Sequence, residues 1–150
     1  MKEDTAGGEK KMSDDKYKIP GNLHYTKNHE WVFIEGSDKV RIGITDYANK
    51  RLHEIVFIEA PEEGSLIKRM EPIGTAESVK AVSEIYSPVS GRVVAVNRDL
   101  EMEPELVNQD PYGKGWIVVI KPSDLEEEVK KLLTPTQYSE HIKTLLRKRG

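Results

Sequence analysis

The chain has 150 residues, enough for one domain with a short extension, and its hydrophobic fraction of 37% beside a charged fraction of 33% fits a small soluble protein with much surface. A net charge of −3 leaves no basic stripe for nucleic acid, and no apolar run approaches the roughly 20 residues that cross a bilayer. The chain contains no cysteine, which excludes disulfides, zinc–thiolate centres and cysteine nucleophiles.

Residues 1–16, MKEDTAGGEKKMSDDK, hold almost no apolar side chains and read as a disordered tail. They lack the apolar core of a secretory signal and the Arg-rich, acid-poor character of a transit peptide, so the expected compartment is the cytoplasm. Residues 17–150 read as the folded domain. WVFIE (31–35) and KVRIGI (39–44) are short strands joined by the turn residues Gly36, Ser37 and Asp38, and Val40, Ile42 and Ile44 alternate as one buried face requires. TDYANKRL (45–52) predicts a helix capped by Thr45 or Asp46. Further strands are expected at 55–60, 66–68, 72–77, 81–86 and 92–96, then a helical turn from Pro104 to Val107. WIVVI (116–120) is the expected last strand, with Trp116, Val118 and Ile120 on one side. DLEEEVKKLL (124–133) orders its acids before its lysines and predicts a helix, followed by another from Pro135 to about Arg149. Seven or eight short, closely spaced strands are the pattern of a small sandwich or barrel.

Catalytic patterns are missing. His24, His29, His53 and His141 have no metal-site spacing, and there is no nucleophile elbow, phosphate loop or dinucleotide fingerprint. The chain reads as something that enzymes act on.

The stretch TAESVKAVSEIYSPVSG (75–91) puts Lys80 at the tip of a tight hairpin between two apolar strands, beside Val79 and Ala81. A solvated turn residue is the plain reading. The alternative is an amine held clear of the sheet for attachment of a prosthetic arm through an amide, which removes its charge and makes later encounters intramolecular. Spacing alone does not distinguish a lipoyl arm, a biotinyl arm or none.

HEWV (29–32), GITDYA (43–48), IVFIE (55–59), ESVKA (77–81), YSPVSG (86–91) and PELVNQDPYGKGW (104–116) together resemble the glycine cleavage system H protein family, in its order and spacing, from about Leu23 to Tyr138. The resemblance implies a mainly β fold, a flattened β-barrel sandwich (the barrel-sandwich hybrid or hammerhead of lipoyl and biotinyl carriers), with short helices and a C-terminal helical segment. It makes Lys80 the residue that carries lipoic acid as N6-lipoyl-lysine. It implies a non-enzymatic, monomeric carrier with no catalytic or metal-binding residues. Its partners would be glycine decarboxylase (P protein), aminomethyltransferase (T protein), dihydrolipoamide dehydrogenase (L protein) and a lipoate ligase or lipoyl/octanoyl transferase. A eukaryotic member would be mitochondrial.

By the same resemblance Glu30 and Glu84 are the carboxylates of a cleft that shelters the loaded arm; simple surface acids are the alternative. Trp31 is expected in the core, and His29 in a local hydrogen bond. His53 departs from the family, which usually has glycine there; its side chain either narrows the cleft or requires a different turn. A relative remains open as a second reading: an H-like lipoate-binding protein serving lipoate transfer or sulfur metabolism.

Overall fold

The computed structural model describes residues 16–149. The expected tail therefore lies outside the described residues except for Lys16, whose carbonyl accepts a hydrogen bond from Lys50 Nζ at 2.8 Å.

Nine strands and five helices follow one another along the described chain. The strands are β1 (His24–Tyr25), β2 (Glu30–Ile34), β3 (Val40–Ile44), β4 (Ile55–Glu59), β5 (Leu66–Ile67), β6 (Pro72–Ser78), β7 (Val82–Tyr86), β8 (Gly91–Val96) and β9 (Val118–Pro122). The helices are α1 (Asp46–Leu52), α2 (Asp99–Met102), α3 (Leu106–Gln109), α4 (Leu125–Glu128) and α5 (Pro135–Arg149). Every strand pair is antiparallel, in a six-stranded sheet ordered β1-β2-β3-β9-β8-β5 and a three-stranded sheet ordered β4-β6-β7. Val32, Ile42 and Val118 sit opposite one another in the large sheet, and pack with Ile58, Ala76 and Ile85 of the small one in a single apolar core. The expected mainly β sandwich is met.

A second core covers the other face of the large sheet. Tyr25, Trp31, Tyr47, Tyr138 and Ile142 are buried there beneath α5 and the segment before β1. Gly43 makes room for this layer: it pairs with Trp31 across the sheet, and a Cβ at this position would lie 2.7 Å from the indole. Trp31 Nε1 donates to the Pro111 carbonyl at 3.0 Å, which satisfies its one polar group.

Four local expectations are corrected. Trp116 does not share a face with Val118 and Ile120; it precedes β9, belongs to the second core and carries Arg41 over its ring at 4.8 Å. The helix expected at 124–133 stops at Glu128, continues as a 3-10 turn over Val129–Lys131 and gives way to extended backbone at Leu132. Leu133 is needed as a ladder partner for Tyr25, and the two exchange backbone hydrogen bonds of 2.9 and 2.7 Å. Pro104 lies ahead of α3, its carbonyl accepting from Val107 N. Residues 99–102, which carried no expected element, form α2 because Leu100 reaches the core. No helix among the described residues is long and apolar enough to cross a membrane.

Candidate functional site

β6 and β7 form a hairpin with Val79 and Lys80 at its tip. Ser78 holds the tip from below. Its amide donates to the Ala81 carbonyl at 2.8 Å, and its buried hydroxyl oxygen accepts from the amides of Lys80 (3.2 Å) and Ala81 (3.1 Å). The turn's backbone is satisfied without the lysine side chain. Lys80 is exposed and has no ion pair among the described residues.

The other end of the hairpin is fastened to the body of the protein. Ser87 exchanges backbone bonds with the turn before β6, its N donating to Glu71 O at 2.9 Å and its O accepting from Met70 N at 2.6 Å. Ser90 is clamped by buried Glu128, whose Oε1 accepts from Ser90 N at 2.7 Å and whose Oε2 accepts from Ser90 Oγ at 2.6 Å.

Glu30 supplies the third fastening. It is 1% exposed. Oε1 accepts from Thr26 Oγ1 at 2.5 Å, and Oε2 accepts from Tyr86 N at 2.9 Å. Burial pushes its carboxyl up to about 7, although both donors favour the charged form. Glu84, by contrast, is exposed. It pairs with Thr75 across β6, and Thr75 pairs in turn with Glu59 of β4. These three residues line one open cleft of about 320 Å³ with Ile67, Pro72 and Ile73. The two candidate carboxylates thus have different surroundings. Glu84 faces solvent in the cleft, while Glu30 is engaged behind Tyr86. Glu59 and Thr75 were not foreseen, since only long-range strand register puts them beside Glu84.

His29 makes the local hydrogen bond expected of it. Nδ1 lies 2.8 Å from Tyr138 Oη, which lies 2.7 Å from Thr45 Oγ1. Burial, with His141 and Arg51 adding to it, lowers His29 to about 4, so the ring is neutral at physiological pH. Thr45 is the N-cap of α1, accepting from Ala48 N. His53 follows that helix, exposed and outside the cleft, with φ 69° and ψ −147°. Its positive φ is one that glycine adopts without strain. Among the described residues no group of three or more His, Asp or Glu side chains is placed to hold a metal.

A small antiparallel sandwich that presents one unpaired lysine at a clamped hairpin tip has the architecture of prosthetic-arm carrier proteins. Comparison with known proteins narrows that class. A sequence profile described as "Glycine cleavage H-protein" matches residues 23–145. The glycine cleavage system H protein of Bacillus licheniformis is 55% identical over 124 residues, 83% of this chain and 96% of its own length. A probable glycine cleavage system H protein of Pyrococcus abyssi is 50% identical over 129 residues, 86% of this chain and 96% of its own. The crystal structure of such a protein from Mycobacterium marinum superposes with a TM-score of 0.75 at 38% identity, covering 81% of this chain and 97% of that one. The chain belongs to the glycine cleavage H-protein family of lipoyl carriers.

Proposed function

We propose that the protein is the carrier subunit of a glycine cleavage system. It would take the aminomethyl unit of glycine from the P protein to the T protein on a lipoyl group attached to Lys80, and be returned to its oxidised form by the L protein. The observation that carries this reading is the exposed, unpaired Lys80 on a turn whose backbone is held by Ser78. The site fits the group: the amine is open to amide formation, and the chain has no cysteine to enter thiol exchange with a bound disulfide. When attached, the group supplies a disulfide that accepts the one-carbon unit and ends as a dithiol. A lipoate ligase or lipoyl/octanoyl transferase would load it. The carrier itself turns nothing over.

The chain's own residues then position and shelter. Ser78 fixes the direction in which the lysine leaves the sheet. Glu84 stands in β7 four residues after Lys80, at most about 13 Å of extended chain away, and opens with Glu59 and Thr75 into the cleft. Two carboxylates flanking a hydroxyl favour a cationic amine and keep it protonated. Glu30 acts one step back, holding Tyr86 and with it the strand that carries Glu84.

Carbon exchange between glycine and labelled bicarbonate, run with P protein, tests the reading. The lipoylated chain is expected to support exchange, and Lys80→Arg to abolish both exchange and the lipoyl mass increment. A chain that is lipoylated at Lys80 yet supports no exchange belongs instead to lipoate transfer or sulfur metabolism.

A further inference from the structure

The outer face of the three-stranded sheet carries exposed apolar side chains around Glu77 where it approaches the lysine. Strand register sets Phe57 opposite Glu77, and Glu77 opposite Val82. An irregularity between Ile55 and Phe57 leaves Val56 facing out as well. Val56, Phe57, Val79 and Val82 are 46%, 52%, 76% and 62% exposed, whereas Ile58, Ala76 and Ile85 of the same strands are buried. Lone exposed apolar residues need no explanation, but four around one functional amine form a surface from which a partner would remove water.

The charges around this strip are one-sided. Within residues 54–60 and 72–86 the acids are Glu54, Glu59, Glu77 and Glu84, and Lys80 is the only cation. Acylation of Lys80 would leave this sheet with carboxylates alone. Glu77 lies between Phe57 and Val82, so the complementary surface is apolar and carries basic groups that meet Glu77 and the acids around it.

Reach decides which partner that is. Before the arm exists, Nζ lies no farther from the sheet than a lysine side chain, so an enzyme acting on it must press against the tip and its flanks. Enzymes acting on the far end of an attached arm are held away by the arm's length. We propose that the strip centred on Phe57, Glu77 and Val82 is the docking surface for the enzyme that acylates Lys80, and that this enzyme meets it with apolar side chains and with Lys or Arg set against Glu77 and the neighbouring acids. In that step the amine, having given up its ammonium proton, bonds to the carbonyl carbon of an activated lipoyl or octanoyl donor, a thioester or acyl adenylate. The bond from that carbon to the thiol or adenylate breaks, the leaving group departs with the electron pair, and the second proton lost by the nitrogen passes to the departing thiolate or, with the adenylate, to solvent. The inference rests on the reading of Lys80 as the acylated residue.

The test uses full-length unlipoylated protein, a purified lipoate ligase, lipoate and ATP, with acylation followed by intact mass. Phe57→Thr/Val82→Thr is expected to lower kcat/KM for the carrier by about tenfold or more, mainly through KM, leaving the KM for lipoate unchanged. Val94→Thr, an exposed apolar residue of the other sheet, is expected to behave as wild type. Wild-type rates and KM in a double variant with an unchanged melting curve would overturn the proposal. So would a variant that, once lipoylated, loses P-protein exchange by the same factor, because the strip would then serve the decarboxylase. Acylation of Lys80→Arg to the wild-type extent refutes the lysine assignment itself, a result distinct from either.

Discussion

The amide of Tyr86 donates to Oε2 of Glu30 across 2.9 Å, joining the last residue of the lysine-bearing hairpin to the first residue of β2 in the opposite sheet. The acceptor is a carboxylate out of contact with solvent, so the joint has a protonation state as well as a geometry. Its neighbour in sequence, His29, is half-buried and shifted in the opposite direction.

These two shifts work against each other with pH. Glu30 binds its proton more tightly folded, at about 7, than its ordinary value of 4.5, so its contribution to stability is complete below 4.5 and is lost as pH rises through 7. The span is worth on the order of 3 kcal/mol. His29 binds its proton less tightly folded, at about 4 against 6.5, so its contribution is present above 6.5 and is lost as pH falls towards 4. Denaturant unfolding from pH 4.5 to 7.5 is expected to show a shallow profile in the wild type. Glu30→Gln should remove the compensating arm, so that the variant loses stability on acidification relative to wild type. His29→Asn should do the reverse, Asn being the side chain that best tolerates φ 74°. Parallel profiles for all three proteins would show that neither group is coupled to folding in this range.

His53 has a conformation suited to glycine, with φ 69° and ψ −147° and an exposed imidazole. His53→Gly is expected to stabilise the protein by about 1 kcal/mol, the released strain exceeding the added freedom of the unfolded chain. His53→Ala keeps the Cβ and the strain, and should gain nothing. The hydrogen bond from Asn108 Nδ2 to the His53 carbonyl, 2.8 Å, uses backbone only and survives both changes. Melting temperatures of the two variants decide the matter; equal values would place the cost elsewhere.

Much of this fold can be read from the residues, and the exceptions share a cause. Alternation in VRIGI locates β3 because Val40, Ile42 and Ile44 share the apolar face while Arg41 and Gly43 take the other, where Gly43 gives way to Trp31. The cap at Thr45 and the Lys80 hairpin depend on neighbours in sequence and were legible for that reason. β2 is different: α5 and the second core lie on one side and the inter-sheet core on the other, so Glu30, Trp31 and Val32 are buried in succession. Period-two reasoning has no purchase on such a strand, and an acid between histidine and tryptophan looks like a surface residue. Of the row Glu59–Thr75–Glu84, the sequence offered only Glu84, through the family resemblance; Glu59 and Thr75 enter only through the pairing of strands distant in the chain.

Ser78 gives a local test of the lysine's mounting. Its hydroxyl oxygen is the acceptor for both tip amides, so Ser78→Ala leaves the Lys80 and Ala81 N–H groups to water. The expected loss is about 1 kcal/mol, confined to the tip. Amide hydrogen exchange at Lys80 and Ala81 should accelerate while Ala76, buried farther down the hairpin, keeps its protection. Unchanged exchange at the tip would show that the ladder alone sets the turn.

The row Glu59–Thr75–Glu84 makes the last prediction, on the loaded protein. A terminal ammonium held between two carboxylates in a cleft lined with Ile67, Pro72 and Ile73 is drawn out of bulk water, so its one-carbon unit should be lost to hydrolysis more slowly than from an arm in solution. Glu84→Gln and Glu59→Gln are each expected to speed that loss by about fivefold, the value of a partly exposed charge pair. The effect should shrink at high salt, as an open, screened site requires. Glu35→Gln, on the large sheet beside Arg41, serves as the control of equal charge change. Glu30→Gln should have a weaker effect than either cleft variant, since its carboxylate reaches the cleft only through the backbone of Tyr86. If the half-life of the loaded carrier is the same in Glu84→Gln, Glu59→Gln and the control, the arm does not rest in this cleft.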